Sequence, residues 1–552
     1  MKFKGYLIII LIFVACIIRN TELFSQNVQW IARLNGDADS IDVAKAVAVD
    51  AQGNVYVTGT STELLLLTDI VTVKYSPLGA VIWSRSYGGV LNDEGDAIAL
   101  DDSANVYVAG FANRLLNLLG DYVVIKYNTN GVLQWARTYD GTAHGLDYAT
   151  SLAVDNQHNV YVTGSATMHG LVLGNIDYVT LKYDINGNLL WTADYDGPSQ
   201  GEDDAYKLKV DGLNNVIVTG YSKNSLLGTG DYATVKYDGN GNQLWVMRYD
   251  GPGHGDDIAH DVAVDNFNNI YVTGESQGTT TGVDYATLKY NSAGIQQWVS
   301  RYNGPGNGED RAYAIVVDNT DHPVITGESV GNNTSHDYAT VKYDQNGVQQ
   351  WASRYNGPGN GEDRAYAIVV DNTDNVFITG ESGGNNSGQD YATVKYNPAG
   401  TQQWAAIYNG PGNSTDRAYA IVVDNTDNVY VTGTSQHSSL LSSEDYLTIK
   451  YADPVGIQVV TNEIPDRFNL YQNYPNPFNP GTVIRFDIGH ESDVKITLYD
   501  ILGSKLKELV DKRLNGGSYE ISLNAENLPS GIYVYRITAN GYTDSKKMIL
   551  LK

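Results

Sequence analysis

All eight tryptophans of the chain recur at intervals of 52 to 56 residues: Trp30, Trp83, Trp135, Trp191, Trp245, Trp298, Trp351 and Trp404. In places the duplication is literal, since residues 301–321 reappear unchanged at 354–374. Self-similarity at one period limits the fold to arrays that stack or encircle copies of a single supersecondary unit. Each copy is too small to bury its apolar faces alone and must pack on its neighbours.

Between successive tryptophans lie four short runs rich in Val, Ile, Tyr and Thr, bounded by Gly, Asn, Asp or Pro. These are strand signals. In one copy they read WASRY, RAYAIVVD, NVFITG and DYATVKY. Asn130-Gly131, Asn186-Gly187, Asn240-Gly241 and Asn346-Gly347 lie between the last run and the next tryptophan strand, where a two-residue hairpin turn is expected. Four antiparallel strands repeated radially describe a β-propeller blade. A parallel β-helix uses shorter coils and needs no hairpin turns. If the AYAIVVD-type strand is innermost, there are eight inner strands, ending at Asp50, Asp101, Asp155, Asp211, Asp265, Asp318, Asp371 and Asp424. A lone tryptophan strand at 27–34 precedes the first unit, and the last unit lacks one. Pairing the two closes the ring and removes an open sheet edge. The expected fold is therefore all-β, an eight-bladed β-propeller over residues 27–452.

The DxxNVYVTG, DYxTxKY and NGxxxW segments of each unit resemble the bacterial β-propeller repeat called SBBP, across residues 27–452. That family is usually described as seven-bladed, so a seven-bladed ring is the alternative. The resemblance implies a secreted or surface propeller of mostly unassigned function.

The net charge of −27 falls on the repeats. Residues 27–465 carry 52 acidic and 22 basic side chains, whereas residues 466–552 carry 10 and 11. So acidic a surface repels phosphate backbones, which excludes nucleic acid as a natural partner. Three aspartates recur in every unit. One opens the inner strand: Asp42, Asp93, Asp147, Asp203, Asp257, Asp310, Asp363 and Asp416. One opens the DYATVKY-type strand: Asp69, Asp121, Asp177, Asp231, Asp284, Asp337, Asp390 and Asp445. The third ends the inner strand. Strand alternation puts the first two sets on one end of the ring and the third on the other. Carboxylates ringing a channel mouth suit a hard cation such as calcium, with the first set as the candidate metal ligands. Their presence in every copy equally suits a fold device, in which each carboxylate accepts backbone N–H groups at a turn. No DxDxDG calcium loop is present. A lysine also recurs in each unit, from Lys74 to Lys450, as a counter-charge to the aspartates. The tryptophans read as packing between blades.

The histidines form no zinc spacing, and no cysteine nucleophile appears in the repeats. What varies between copies is the loop after NVYVTG. It is leucine-rich at 64–67, 115–119 and 171–173 and polar at 383–387, so it could form a partner surface or pack on itself.

Lys2 and Lys4 followed by an apolar run to Ile18 form a secretory signal over residues 1–25, too short to span a bilayer. Cleavage near Ser25 is expected. Lipid attachment at Cys16, the only cysteine, is the rival reading. No other stretch is apolar enough for a transmembrane segment. Residues 453–465 read as a linker, and 466–552 as a small immunoglobulin-like β-sandwich of short alternating strands. Its YPNPFNP motif (Tyr474, Pro475, Asn476, Pro477, Phe478, Asn479, Pro480), DILG turn, SGIYVYR stretch and KKMILLK ending resemble the type A C-terminal sorting domain of type IX secretion. The resemblance implies the type IX secretion machinery as a partner, export through the periplasm, and release or attachment at the outer surface of a Bacteroidetes-like bacterium. The functional expectation is a non-enzymatic binding or adhesion scaffold for a protein or glycan ligand. The alternative is a secreted propeller enzyme, quinoprotein-like or glycan-acting.

Overall fold

The computed structural model describes residues 27–36, 40–62, 67–89, 91–114, 117–168, 176–199, 201–225, 228–385, 387–436, 443–452, 457–461, 465–525 and 528–552. The expected signal segment, Cys16 and most of the leucine-rich loops lie outside these residues. Among the described residues the structure is all-β, with no helix.

Val-, Ile-, Tyr- and Thr-rich runs form eight four-stranded antiparallel sheets, seven of them ordered by sequence from an inner to an outer strand. The sixth runs Asp310–Val317, Pro323–Val330, His336–Tyr343 and Gln349–Tyr355. Each inner strand packs on the next, and the eighth, Asp416–Val423, packs on the first, Asp42–Val49. The ring is closed by Asn27–Leu34, which pairs antiparallel with Glu444–Ala452 and brings Trp30 opposite Lys450. The N-terminal strand thus supplies the outer edge of the last blade, as the orphan tryptophan strand predicts.

Apolar second and third strands are buried on both faces, and the cores lie between sheets. Tyr271, Tyr285, Ala312, Ile325, Val341 and Tyr343, for example, join the fifth blade to the sixth. The tryptophans latch blades together. Trp83 donates its Nε1–H to the Thr129 carbonyl at 3.1 Å, and Trp298 donates to Gln345 at 3.0 Å, each in the turn of the next blade. The turn differs from the two-residue hairpin expected. Only its glycine has positive φ, as at Gly347 (80°), and the register skips on entering the tryptophan strand. This is a type I turn followed by a left-handed glycine bulge. A Cβ on Gly347 would stand 2.7 Å from Trp298 Cδ2, so the indole itself demands glycine there.

The C-terminal region forms two four-stranded sheets over one core that includes Phe478, Ile484, Phe486, Ile496, Tyr535 and Leu550. Its first strand, Ile457–Thr461, pairs with Gly517–Asn524 and falls inside the expected linker. That linker is therefore shorter than 453–465, because backbone pairing recruits part of it into the sheet. The sorting motif is clipped to the last strand, Tyr542–Leu550. Phe478 exchanges backbone hydrogen bonds with Ile549 and Leu551 at 3.0 Å, and Asn476 Oδ1 accepts from the Ile549 N–H at 2.9 Å.

Candidate functional site

The aspartates that open the inner strands are all buried. In every blade one carboxylate oxygen accepts a glycine N–H from the preceding loop, at 2.6 to 2.9 Å. In six blades the other oxygen accepts a backbone N–H from the end of the second strand, as from Thr62 to Asp42 at 2.9 Å and Val330 to Asp310 at 3.1 Å. In those six blades the carboxylate therefore staples the crossover loop from one blade to the hairpin of the next. Burial pushes these groups above the usual carboxylate range, Asp93 and Asp147 to about 6.

The second set stands beside them at the same end. In the fifth and sixth blades an outer-strand arginine neutralises it: Arg301 Nη2 lies 2.9 Å from Asp284 Oδ2 and Arg354 Nη2 lies 2.9 Å from Asp337 Oδ2. Arg248 and Arg33 reach Asp231 and Asp445 at 3.3 Å in the fourth and eighth. The same guanidinium donates to a serine of its own blade and a tyrosine of the previous one, as Arg301 does to Ser276 Oγ (2.6 Å) and Tyr249 Oη (3.2 Å). The pairing register puts Ser86, Thr138, Asp194 and Ile407 at this position in the other four blades.

At the opposite end the third set closes tight turns. Asp371 Oδ1 accepts N–H bonds from Thr373 and Asn375 at 2.8 and 2.9 Å. Five of these aspartates also accept a tyrosine hydroxyl from Tyr56, Tyr107, Tyr161, Tyr271 or Tyr430. The recurring lysine then lies over that tyrosine ring, 4.8 to 5.1 Å from its centre. Where Ile217 and Val324 replace the tyrosine, Lys236 and Lys342 pair directly with Asp211 and Asp318, at 2.8 and 2.6 Å.

A further series lies at the channel mouth. Each inner strand has a β-bulge that skips one residue: Lys45, Asp96, Thr150, Tyr206, His260, Tyr313, Tyr366 and Tyr419. Bulges re-aim a side chain away from the ladder. From the fourth blade to the eighth these residues form a continuous arc of rings, Tyr206, His260, Tyr313, Tyr366 and Tyr419, with centres 5.6 to 6.0 Å apart. A chain of ion pairs runs alongside: Arg311 bridges Glu275 and Glu328 at 2.6 and 3.1 Å, Arg364 bridges Glu328 and Glu381 at 2.7 and 2.9 Å, and Arg417 meets Glu381 at 2.6 Å.

The arc breaks in the first three blades. Lys45 Nζ lies 2.5 Å from Glu94 Oε2 and 2.6 Å from Asp96 Oδ1. Beyond this pair a cavity of about 450 Å³ opens among Glu94, Asp96, Phe111, Leu146, Tyr148, Ala149 and Thr150. Tyr148 donates its hydroxyl to Asp204 Oδ1 at 2.7 Å and is held upright by it. The pocket is mainly apolar with a few convergent polar groups, the composition of a small-ligand site. The aspartate pattern did not point to it. The signal was the change from Arg-Ala-Tyr at 311–313, 364–366 and 417–419 to Glu-Gly-Asp at 94–96 and Tyr-Ala-Thr at 148–150.

Two protein families match the chain. "Secretion system C-terminal sorting domain" covers residues 472–551, and "Beta-propeller repeat" (SBBP) covers 29–65, 137–168, 248–279 and 403–440. An uncharacterized WD repeat-containing protein of Acanthamoeba polyphaga mimivirus is 24% identical over 45% of this chain, which spans only 25% of that relative. Among solved structures, a fungal alcohol oxidase of the AA5 family in complex with copper is 12% identical, with a TM-score of 0.39, covering 82% of this chain and 96% of its own. The β-propeller domain of the Trilobed protease from Pyrococcus furiosus is 8% identical, with a TM-score of 0.37, covering 64% and 92%. No helix of the described residues is long and apolar enough to cross a membrane. The chain contains β-propeller repeats of the SBBP type and a type IX C-terminal sorting domain, and the sorting tail implies export to the medium or the cell surface.

Proposed function

We propose that the propeller is a non-enzymatic binding module that takes its ligand, a glycan or a protein side chain, in the pocket at the channel mouth. The observation that carries this reading is the break in the bulge series. Five blades repeat an aromatic arc backed by paired charges, whereas three abandon it and leave the pocket between Asp96, Phe111, Tyr148 and Thr150. The first aspartate set and the tryptophans act in this reading as ties between blades, because their side chains are already engaged with backbone or neighbouring turns. Screening the labelled protein on a glycan array and on immobilised extracellular proteins tests the reading, with Leu146→Arg, at an exposed wall of the pocket, as the variant that blocks it. Capture by the wild type, lost in Leu146→Arg at unchanged melting temperature, is the expected result. Equal capture by both would place the contact elsewhere.

A further inference from the structure

The fourth blade departs from the others along the wall of the central channel. After the bulge at Tyr206 its inner strand continues as Lys207, Leu208 and Lys209. Leu208 turns into the core between the third and fourth blades, so the two lysines share the opposite side of the strand. In the pairing register the place of Lys209 is taken by alanine or valine in all seven other blades, from Ala48 to Val422, and the place of Lys207 by alanine or serine in six. The exception is Asp261, in the next blade.

Nothing in the ring pairs with these two cations. Neither ammonium has a hydrogen bond or an ion pair among the described residues. The carboxylate facing them is committed to backbone, since the two oxygens of Asp261 accept the N–H groups of Val262 at 2.8 Å and Ile315 at 3.0 Å. On the other side, Ser151 Oγ accepts the Leu208 N–H at 3.2 Å. Lys209 is reached by solvent, yet protein encloses it. That enclosure lowers its pKa, a shift that Asp261 opposes and Lys207 reinforces. A side chain that is both solvent-reached and enclosed points into the channel. Holding two unpaired like charges there costs stability, and the other inner strands pack with alanine or valine at the place of Lys209. The recurring lysines differ: Lys236 pairs with Asp211 at 2.8 Å, and Lys182 lies over the Tyr161 ring.

We propose that Lys207 and Lys209 form an oxyanion site inside the channel, which takes free phosphate or the carboxylate of an acidic sugar. Alternate residues of a strand stand about 6.5–7 Å apart. From that spacing two flexible lysine stems can close on one anion, each ammonium offering three donors. The site adjoins Tyr206, where the aromatic arc of the channel mouth begins, and it is independent of the pocket between the second and third blades.

The test uses the protein from residue 27 to the C-terminus, in chloride, phosphate or glucuronate at equal ionic strength. Phosphate or glucuronate at a hundredfold excess over its Kd is expected to raise the melting temperature by about 3 °C. Lys207→Ala and Lys209→Ala install the residues that the first blade carries, Ala46 and Ala48. Each should weaken binding about tenfold or more in calorimetric titration, while melting in chloride no lower than the wild type. Acylation of Lys209, followed by mass spectrometry, reads the site itself, and the bound anion should slow it. A response to glucuronate alone supports the site with a sugar acid as its source, and a response to phosphate alone supports it with free phosphate. A wild type that behaves identically in all three salts overturns the proposal. So does binding that survives undiminished when both lysines are replaced, since it would come from basic residues elsewhere.

Discussion

At the scale of the residue, this protein uses buried aspartate as a connector. A short carboxylate accepts two N–H groups from different loops without needing a partner cation, and such charge-assisted bonds are stronger than neutral ones. Burial raises the proton affinity of several of these groups, and Asp93, Asp147 and Asp390 titrate near 6. In the unfolded chain the same groups titrate near 3.8, so the folded state holds their protons more tightly. Their contribution is fully present below the unfolded value and is lost as pH rises through about 6. Asp318 and Asp424 shift the other way. Their burial is outweighed, for Asp318 by Lys342 and the His322 N–H, and for Asp424 by Asn428 and Thr426. Their contribution is lost as pH falls below the unfolded value. The melting temperature is therefore expected to rise from pH 8 to pH 5 and to fall below pH 4. A monotonic fall on acidification from pH 8 in a calorimetric pH series would contradict these assignments.

At the scale of the element, strand existence was legible because the Val-, Ile-, Tyr- and Thr-rich runs and their Gly/Asn/Asp punctuation repeat in each unit. The turn type was not legible. Asn346-Gly347 suits a two-residue hairpin by local preference, but the Trp298 ring occupies the space above the turn and selects the bulged form with only Gly347 left-handed. Long-range packing decided it. The bulge in the inner strand was equally hidden, since nothing local to Ala312-Tyr313-Ala314 says that Tyr313 is skipped by the ladder. The velcro strand allows a sharp prediction. Without Asn27–Leu34 the Glu444–Ala452 strand loses its antiparallel partner and exposes an unpaired edge, which invites association. Deleting residues 27–34 should lower the melting temperature and produce oligomers in size-exclusion chromatography. A monomer of unchanged stability would show that closure is not held there.

At the scale of the whole molecule, the ring and the sandwich are separate modules, and export rests with the sandwich. The sorting domain carries a near-neutral charge beside a strongly acidic propeller, and its YPNPFNP segment is locked onto the final strand through Phe478 and Asn476. Because Ile457–Thr461 pairs with Gly517–Asn524, a clean removal of the domain must begin before residue 457. Truncation at residue 452 is expected to leave a folded propeller retained in the periplasm, as judged by cell fractionation. Delivery of that truncated chain to the surface or medium would mean that the tail is dispensable for export.

The export address was legible in the motifs of the tail, whereas periodicity alone determined the strand content, the blade unit and the closing role of the first strand. These follow from repeated local patterns, and a pattern copied eight times leaves little room for error. The same repetition concealed the sites. Conspicuous aspartates recur in every copy because they build the ring, so their abundance drew attention to the frame. Only the tertiary structure set Asp96 and Tyr148 around one pocket, and enclosed Lys207 and Lys209 within the ring. In both places the surroundings are made by residues of different blades, and spacing along the chain does not encode that proximity.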